Sequence, residues 1–242
     1  MKVLSIGNSF SQDAHKWLHK LAAANGIDMQ TLNLYIGGCS LERHWNNIEN
    51  NADAYEFGPN GDRTTWMISI ETALKMTQWD IVTVQQVSGK SGQLETYEPY
   101  PSGVVALIRK LQPKAEIWFH QTWAYEIDSA HASFENYDRS QQKMYDAIIV
   151  ASEAAAASIP AKIIPAGKLI QALRTTVPEF DYANGGLTLN RDGYHLTYDY
   201  GRFAAAALWL RTLTGITVKA EEFEDFDPVL LQKILAVVNA QF

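Results

Sequence analysis

Five short runs rich in β-branched and apolar residues recur along the chain with helical patterns between them: Val3 to Ile6, Thr31 to Tyr35, Ile81 to Gln85, Glu116 to His120 and Ala161 to Ile164. Strands that alternate with helices pack as a parallel sheet, because each crossover helix must lie on one of its faces. The expectation is a single α/β domain over residues 1–242: a three-layer α/β/α sandwich around a doubly wound, five-stranded parallel sheet. A chain of 242 residues with 47% hydrophobic content can bury a core of that size. In the first helix Ala14, Trp17, Leu18, Leu21 and Ala22 keep the 3.6-residue spacing, Ser11 or Asp13 can cap its start, and Gly26 can end it. Further helices are expected at Thr65 to Met76, Ser102 to Leu111, Tyr137 to Ser158, Gly167 to Arg174, Tyr198 to Thr214 and Pro228 to Asn239. Asn46 to Asp62, Gly89 to Pro101 and Tyr125 to Asn136 read as long excursions that could wall a cleft at the sheet edge.

The charge balance narrows the partners. Twenty Lys and Arg against 27 Asp and Glu give −7, which disfavours non-specific binding to nucleic acid and leaves no polybasic patch for a membrane. A small-molecule or glycan substrate fits better. The lone Cys39 excludes an internal disulfide and any multi-cysteine zinc site. No apolar run approaches the roughly 20 residues that span a bilayer. The chain starts directly on a strand, so a soluble cytoplasmic protein is expected, or a periplasmic or secreted one if a signal peptide has been removed. Oligomeric state is not legible.

Chemistry concentrates at two places. Gly7-Asn8-Ser9-Phe10-Ser11 follows the first strand, so Ser9 stands at the carboxyl edge of the sheet, where open α/β sheets bind ligands. Asp192-Gly193-Tyr194-His195 lies near the end of the chain, and its three-residue spacing lets the carboxylate reach Nδ1 while Nε2 points at Ser9. A serine hydroxyl becomes a useful nucleophile only when such an imidazole takes its proton. The plainer alternatives are a turn serine at the start of a helix and an Asp that caps the helix near Thr197.

These blocks resemble those of the SGNH or GDSL-type serine hydrolases, a resemblance that runs in order through most of the chain. Gly7-Asn8-Ser9 resembles the first block, Gly-Asp-Ser, with Asn8 in place of Asp; Gly37-Gly38-Cys39-Ser40 resembles the second; Asp192-Gly193-Tyr194-His195 matches the last, Asp-x-x-His. The third block departs: the family shows Gly-x-Asn-Asp, and here strand three ends in Gln85-Gln86-Val87-Ser88-Gly89. The resemblance implies a flavodoxin-like sandwich, a catalytic set of Ser9, Asp192 and His195, and an oxyanion hole from the N–H groups of Ser9 and Gly38, with Gly37 close behind. Gln86 is the expected third donor, since glutamine carries the same amide on a longer stem, with Gln85 and Ser88 as alternatives. No metal or organic cofactor is implied. Gln85, Ser88, His120, Trp123 and Tyr125 are expected at the substrate, with Trp45 and Tyr35 as further aromatic candidates. The Gln-containing block and His120-Gln121-Thr122-Trp123-Ala124-Tyr125 resemble carbohydrate-esterase branches.

The function expected is therefore a serine esterase that removes a short acyl group, such as an acetyl, from a carbohydrate. Two rivals are a carbohydrate-binding protein that has lost turnover and a metal-dependent phosphoesterase built on Asp13, His15, His120 and His195. His15 and His19 sit four apart on one helix face, but a solvated face is the simpler reading. His44 and His131 carry no signal. Cys39 reads as a small residue packed near Gly38, and Arg191 and Arg202 could meet a substrate carboxylate, although a surface ion pair is the plainer reading.

Overall fold

The computed structural model describes residues Met1–Phe242. The five expected strands are present and parallel: β1 (Lys2–Gly7), β2 (Gln30–Tyr35), β5 (Ile81–Val84), β6 (Glu116–His120) and β7 (Lys162–Ile164). The sheet also has two strands absent from the sequence reading. β3 (Tyr55–Pro59) pairs antiparallel with β2, β4 (Met67–Ile68) pairs antiparallel with β3, and the order becomes β4-β3-β2-β1-β5-β6-β7. The sheet is thus mixed, with seven strands in place of five. β3 escapes a periodicity test because Gly58 and Pro59 interrupt it, and Pro is tolerated near a sheet edge.

Alternation along β1, β5 and β6 assigns the faces. Leu4, Ile6, Val82, Val84, Ile117 and Phe119 point to one layer, with α2 (Leu41–Glu49), α3 (Ile70–Lys75) and α4 (Tyr100–Leu111) packed over them. Val3, Ile81 and Trp118 point to the other, under α1 (Ser9–Ala24), α6 (Ala166–Thr176), α7 (Tyr200–Thr214) and α8 (Pro228–Gln241). α5 (Gln141–Ser158) feeds both: Met144 and Ile148 join the second layer, Ala151 and Ala155 the first. α7 is apolar nearly all round because it is a buried central helix, and Ala204 to Ala207 let neighbouring helices approach closely. Each fully buried leucine of α1, such as Leu18 or Leu21, contributes about 2 kcal/mol of apolar burial.

Several boundaries move. α1 begins at Ser9, capped by Asn8, whose side chain accepts from Phe10 N–H while Ser11 Oγ accepts from Asn8 N–H. The stretch expected as one helix at Thr65 to Met76 is β4 followed by the short α3. α2, not expected from the sequence, starts directly after the Gly37-Gly38-Cys39-Ser40 block, with Ser40 as its N-cap, and runs into the excursion expected from Asn46. No helix is long and apolar enough to cross a membrane.

Candidate functional site

The turn from β1 into α1 sets the position of Ser9. A Cβ at Gly7 would stand 2.0 Å from Ser11 Oγ, so only glycine lets the strand run this close beneath the first turn of the helix. Asn8 then ties three separate segments together. Its Nδ2 donates to Cys39 O (3.0 Å), and its Oδ1 accepts from Phe10 N–H (2.9 Å) and from Gln85 Nε2 (2.6 Å). Ser9 is consequently the first residue of a helix whose N-cap is buried and fully bonded.

Opposite it, Asp192 and His195 meet as their spacing predicts. His195 Nδ1 lies 2.7 Å from Asp192 Oδ2 and His195 Nε2 lies 2.8 Å from Ser9 Oγ. Asp192 Oδ1 also accepts the N–H of His195 (2.8 Å) and of Tyr194 (3.2 Å). Partial burial opposes ionisation of Asp192, but the His195 side chain and these two backbone donors outweigh it and hold the carboxyl below its ordinary range. An ionised carboxylate on Nδ1 keeps the proton there and leaves Nε2 free to accept from Ser9. The arrangement can therefore move a proton from a serine hydroxyl and stabilise the imidazolium that results.

The space beside Ser9 is a cleft of about 330 Å³. It is lined in part by Tyr35 at the end of β2 and by Gly37 and Gly38 beyond it, by Val87 to Lys90 after β5, and by Tyr194 and His195. Gly38 has φ +62° with nothing within 4 Å of a notional Cβ, so its constraint is conformational and it leaves room beside the serine. The N–H groups of Ser9, Gly38, Ser88 and Gly89 make no hydrogen bond within the protein. Two of the three expected loop walls are present: the segment after β5 contributes Gly89 and Lys90, and the segment after β6 contributes His131 and Ser133, whereas Asn46 to Asp62 holds the end of α2 and all of β3 and does not line this cleft. Burial holds the His131 imidazole below its ordinary value.

Other expected site residues are placed elsewhere. The Gln86 amide is occupied: Nε2 donates to Thr96 O (3.1 Å) and Thr96 Oγ1 (3.2 Å), and Oε1 accepts from Leu41 N–H (3.0 Å) and Val87 N–H (2.9 Å). It braces the turn after β5 and does not line the cleft. Gln85 is equally committed, to Asn8 through Nε2 and to His120 Nδ1 (2.9 Å) through Oε1. Ser88 does line the cleft, with its Oγ 2.9 Å from Tyr125 Oη. His120, Trp123 and Tyr125 are wholly buried and do not face a ligand. Trp123 stacks on Phe10 at 4.2 Å and donates Nε1–H to Tyr194 O (2.8 Å), so it supports the segment that carries His195. Trp45 packs over Gly103, where a Cβ would come within 2.5 Å of its ring, while Tyr35 does reach the cleft.

Phe10, Tyr194, His131, Lys90 and Ser133 line the cleft without having been singled out. Tyr194 had a usable signal, since it lies inside the Asp-x-x-His block.

The four side chains of the metal reading sit in separate networks. Asp13 pairs with Arg191 and Arg202, His15 Nε2 meets Ser5 Oγ at 2.7 Å, His120 meets Gln85 and His195 meets Ser9. No three His, Cys, Asp or Glu residues converge as metal ligands would. His19 Nδ1 lies 2.6 Å from Met29 O and so does not pair with His15. Cys39 is buried and its thiol is pushed up to about 12, chiefly by burial, which removes it as a nucleophile.

Comparison with known proteins fits this architecture. The chain superposes with TM-score 0.91 on a DUF4886 family protein from Bacteroides uniformis ATCC 8492, at 41% identity over 99% of this chain and 93% of that one. A protein from Slackia heliotrinireducens, provisionally described as an SGNH hydrolase, is similar at TM-score 0.62 and 21% identity over 88% of this chain and 98% of that one. A catalytic mutant of Axe2, an acetylxylan esterase from Geobacillus stearothermophilus, is similar at TM-score 0.56 and 14% identity, covering 90% of this chain and 96% of that one. No curated protein matches the chain. The fold is SGNH-hydrolase-like, and because the family model described as Domain of unknown function (DUF4886) matches residues 2–233, the chain belongs to that family.

Proposed function

We propose that the protein is a serine esterase that cleaves a short acyl ester, with an O-acetyl group on a carbohydrate as the substrate class best supported. The observation that carries this reading is the unbroken line Ser9 Oγ, His195 Nε2, His195 Nδ1, Asp192 Oδ2, with contacts of 2.8 and 2.7 Å. In the proposed reaction Ser9 Oγ attacks the ester carbonyl as its proton passes to His195 Nε2, and Asp192 stabilises the imidazolium. The C–O bond to the alcohol breaks as that proton is returned to the leaving oxygen. Water then attacks the acyl-enzyme, His195 takes one of its protons, and the acid leaves as Ser9 regains its hydroxyl.

The unpaired N–H groups of Ser9 and Gly38 are the donors proposed for the developing oxyanion, and the turn at Ser88 and Gly89 replaces the expected Gln86 amide on the third side. A cleft of about 330 Å³ is small for a binding site and suits a short acyl group. The likeness to an acetylxylan esterase supports acetyl and carbohydrate as the two halves of the ester. The non-catalytic binding reading loses its platform, because Trp123 and Tyr125 are buried.

The test is hydrolysis of p-nitrophenyl acetate and of acetylated xylo-oligosaccharides by the purified protein beside Ser9→Ala. Turnover that disappears in the variant supports the reading, whereas equal turnover in both proteins overturns it.

A further inference from the structure

A second cleft, of about 260 Å³, opens on the other side of Ser9 and shares Ser9 and Tyr35 with the first. Its wall differs in kind. Lys16, Arg63, Arg191 and Arg202 converge there against only two acidic residues, Asp13 and Asp62, in a chain whose net charge is −7. The cations come from α1, the loop after β3, the segment before the Asp192 block and α7, so no local sequence run accounts for their meeting.

Part of the cluster is structural. Asp13 is buried, and a buried carboxylate requires neutralisation. Its Oδ1 accepts from Arg202 Nε (2.8 Å) and Arg191 Nη1 (3.2 Å), and its Oδ2 from Leu196 N–H (2.8 Å). One arginine would balance that charge; two are present, and both guanidinium groups lie over the Tyr198 ring, at 4.8 and 4.6 Å from its centroid. Arg63 is fixed in the same manner, over the Tyr35 ring at 4.1 Å and on Glu56 through Nε and Nη2. Arg63 Nη1, Arg191 Nη2 and Arg202 Nη1 make no hydrogen bond within the protein, and Lys16 Nζ, 5.4 Å from the Trp17 ring centroid, has the exposed Asp62 as its acidic neighbour, at 3.6 Å. Rigid forks with unused donors are what bidentate recognition of a carboxylate or phosphate uses.

We infer that this cleft is an anion subsite: Arg63, Arg191, Arg202 and Lys16 hold a carboxylate, or another oxyanion of similar size, carried by the ester whose acyl carbon meets Ser9. This inference rests on the esterase reading for the identity of the ligand as substrate, but the anion site itself stands on its own geometry. No covalent step is added. The subsite acts by positioning the uncleaved part of the substrate, so it raises kcat/KM for charged esters over neutral ones.

Four esters, in two pairs, separate the cases: 4-acetoxybenzoate carries a carboxylate on the alcohol and has phenyl acetate as its neutral reference, and mono-p-nitrophenyl succinate carries one on the acyl group and has p-nitrophenyl acetate as its neutral reference. One charged ester should exceed its neutral reference in kcat/KM by about tenfold, and the ratio should shrink as NaCl rises from about 50 to about 500 mM. Lys16→Gln combined with Arg63→Gln should remove most of the ratio, while Lys162→Gln on β7 should keep it. Equal kcat/KM for charged and neutral esters, or a ratio that survives the double substitution, overturns the subsite.

Calorimetric titration of Ser9→Ala with 4-hydroxybenzoate and with succinate reads the site without turnover. Binding that weakens about tenfold in the added Lys16→Gln/Arg63→Gln background supports the subsite even if every ester is left intact, in which case only the esterase reading fails. No binding of either anion to Ser9→Ala, beside hydrolysis of neutral esters by the unsubstituted protein, overturns the subsite and leaves the esterase reading standing.

Discussion

His195 and His120 stand on either side of the stacked Phe10–Trp123 pair, with ring centroids 5.9 Å from Phe10 and 6.0 Å from Trp123 respectively, and they do different work. His195 keeps 18% of its side-chain surface, has a carboxylate on Nδ1 and a serine on Nε2. His120 is fully buried, has an amide oxygen on Nδ1 and no partner on Nε2, and burial pushes its imidazole down to about 3. Residue type and position at the sheet edge do not make a base. An anionic partner that stabilises the imidazolium, and access to the group that loses its proton, do.

The largest effects should fall on the His195 side of that comparison. His195→Ala should lower kcat for ester hydrolysis by at least about 1,000-fold with the fold retained, read by turnover beside circular dichroism. Asp192→Asn should cost about 100- to 10,000-fold in kcat, since the neutral amide no longer stabilises the imidazolium or fixes the Nδ1 tautomer. Gly38→Ala should lower kcat by about 10- to 100-fold, because a positive φ is strained for alanine and the N–H it presents would move; crystallography of the variant checks that shift.

The buried histidines should appear in stability. His15, His44 and His120 are each held near about 3 by burial, against an ordinary value of 6.5. Because the folded value is depressed, the unfolded chain takes up protons that the folded chain cannot once the pH drops below about 6.5. Stability present above that pH is lost progressively towards pH 3, by about 1.4 kcal/mol per pH unit for each histidine. Urea midpoints across pH 7 to 4 should show this slope, and His120→Gln should flatten it by about one proton's worth. A slope unchanged by His120→Gln would break the comparison.

The smallest catalytic effect is expected at Gln86. Gln86→Ala leaves the N–H groups of Leu41 and Val87 without their acceptor, which should cost about 1 to 3 kcal/mol of stability in urea denaturation, with a change in kcat far below that of His195→Ala.

Much of this molecule is legible from residue order, for identifiable reasons. The parallel strands announce themselves because a strand covered on both faces reads as a run of apolar and β-branched residues, as Ile81 to Val84 does with Thr83 its one polar member. β3 and β4 do not, since Glu56, Gly58 and Pro59 follow no burial rule until β2 offers an edge to pair with. Ser9, Asp192 and His195 can be read because their relation is set by two short local segments and one strand end. Gln86, Trp123 and Tyr125 mislead because the direction of a side chain leaving a strand is decided by distant partners: Thr96 and Leu41 capture the amide, and Phe10 and Tyr194 capture the indole. The basic cleft is half legible: Arg191 and Arg202 flank the Asp192 block and could be read as partners of a substrate carboxylate, but Lys16 and Arg63 come from distant segments that only folding brings beside them.

The central claim is that Ser9 is the nucleophile and that His195, not any other histidine, activates it. Peptide mapping by mass spectrometry after treatment with a fluorophosphonate tests this directly. The expected result is one covalent adduct, on Ser9, that forms in the unsubstituted protein and is lost in His195→Ala. An adduct that maps elsewhere, or one that forms on Ser9 at the same rate in His195→Ala, would contradict it.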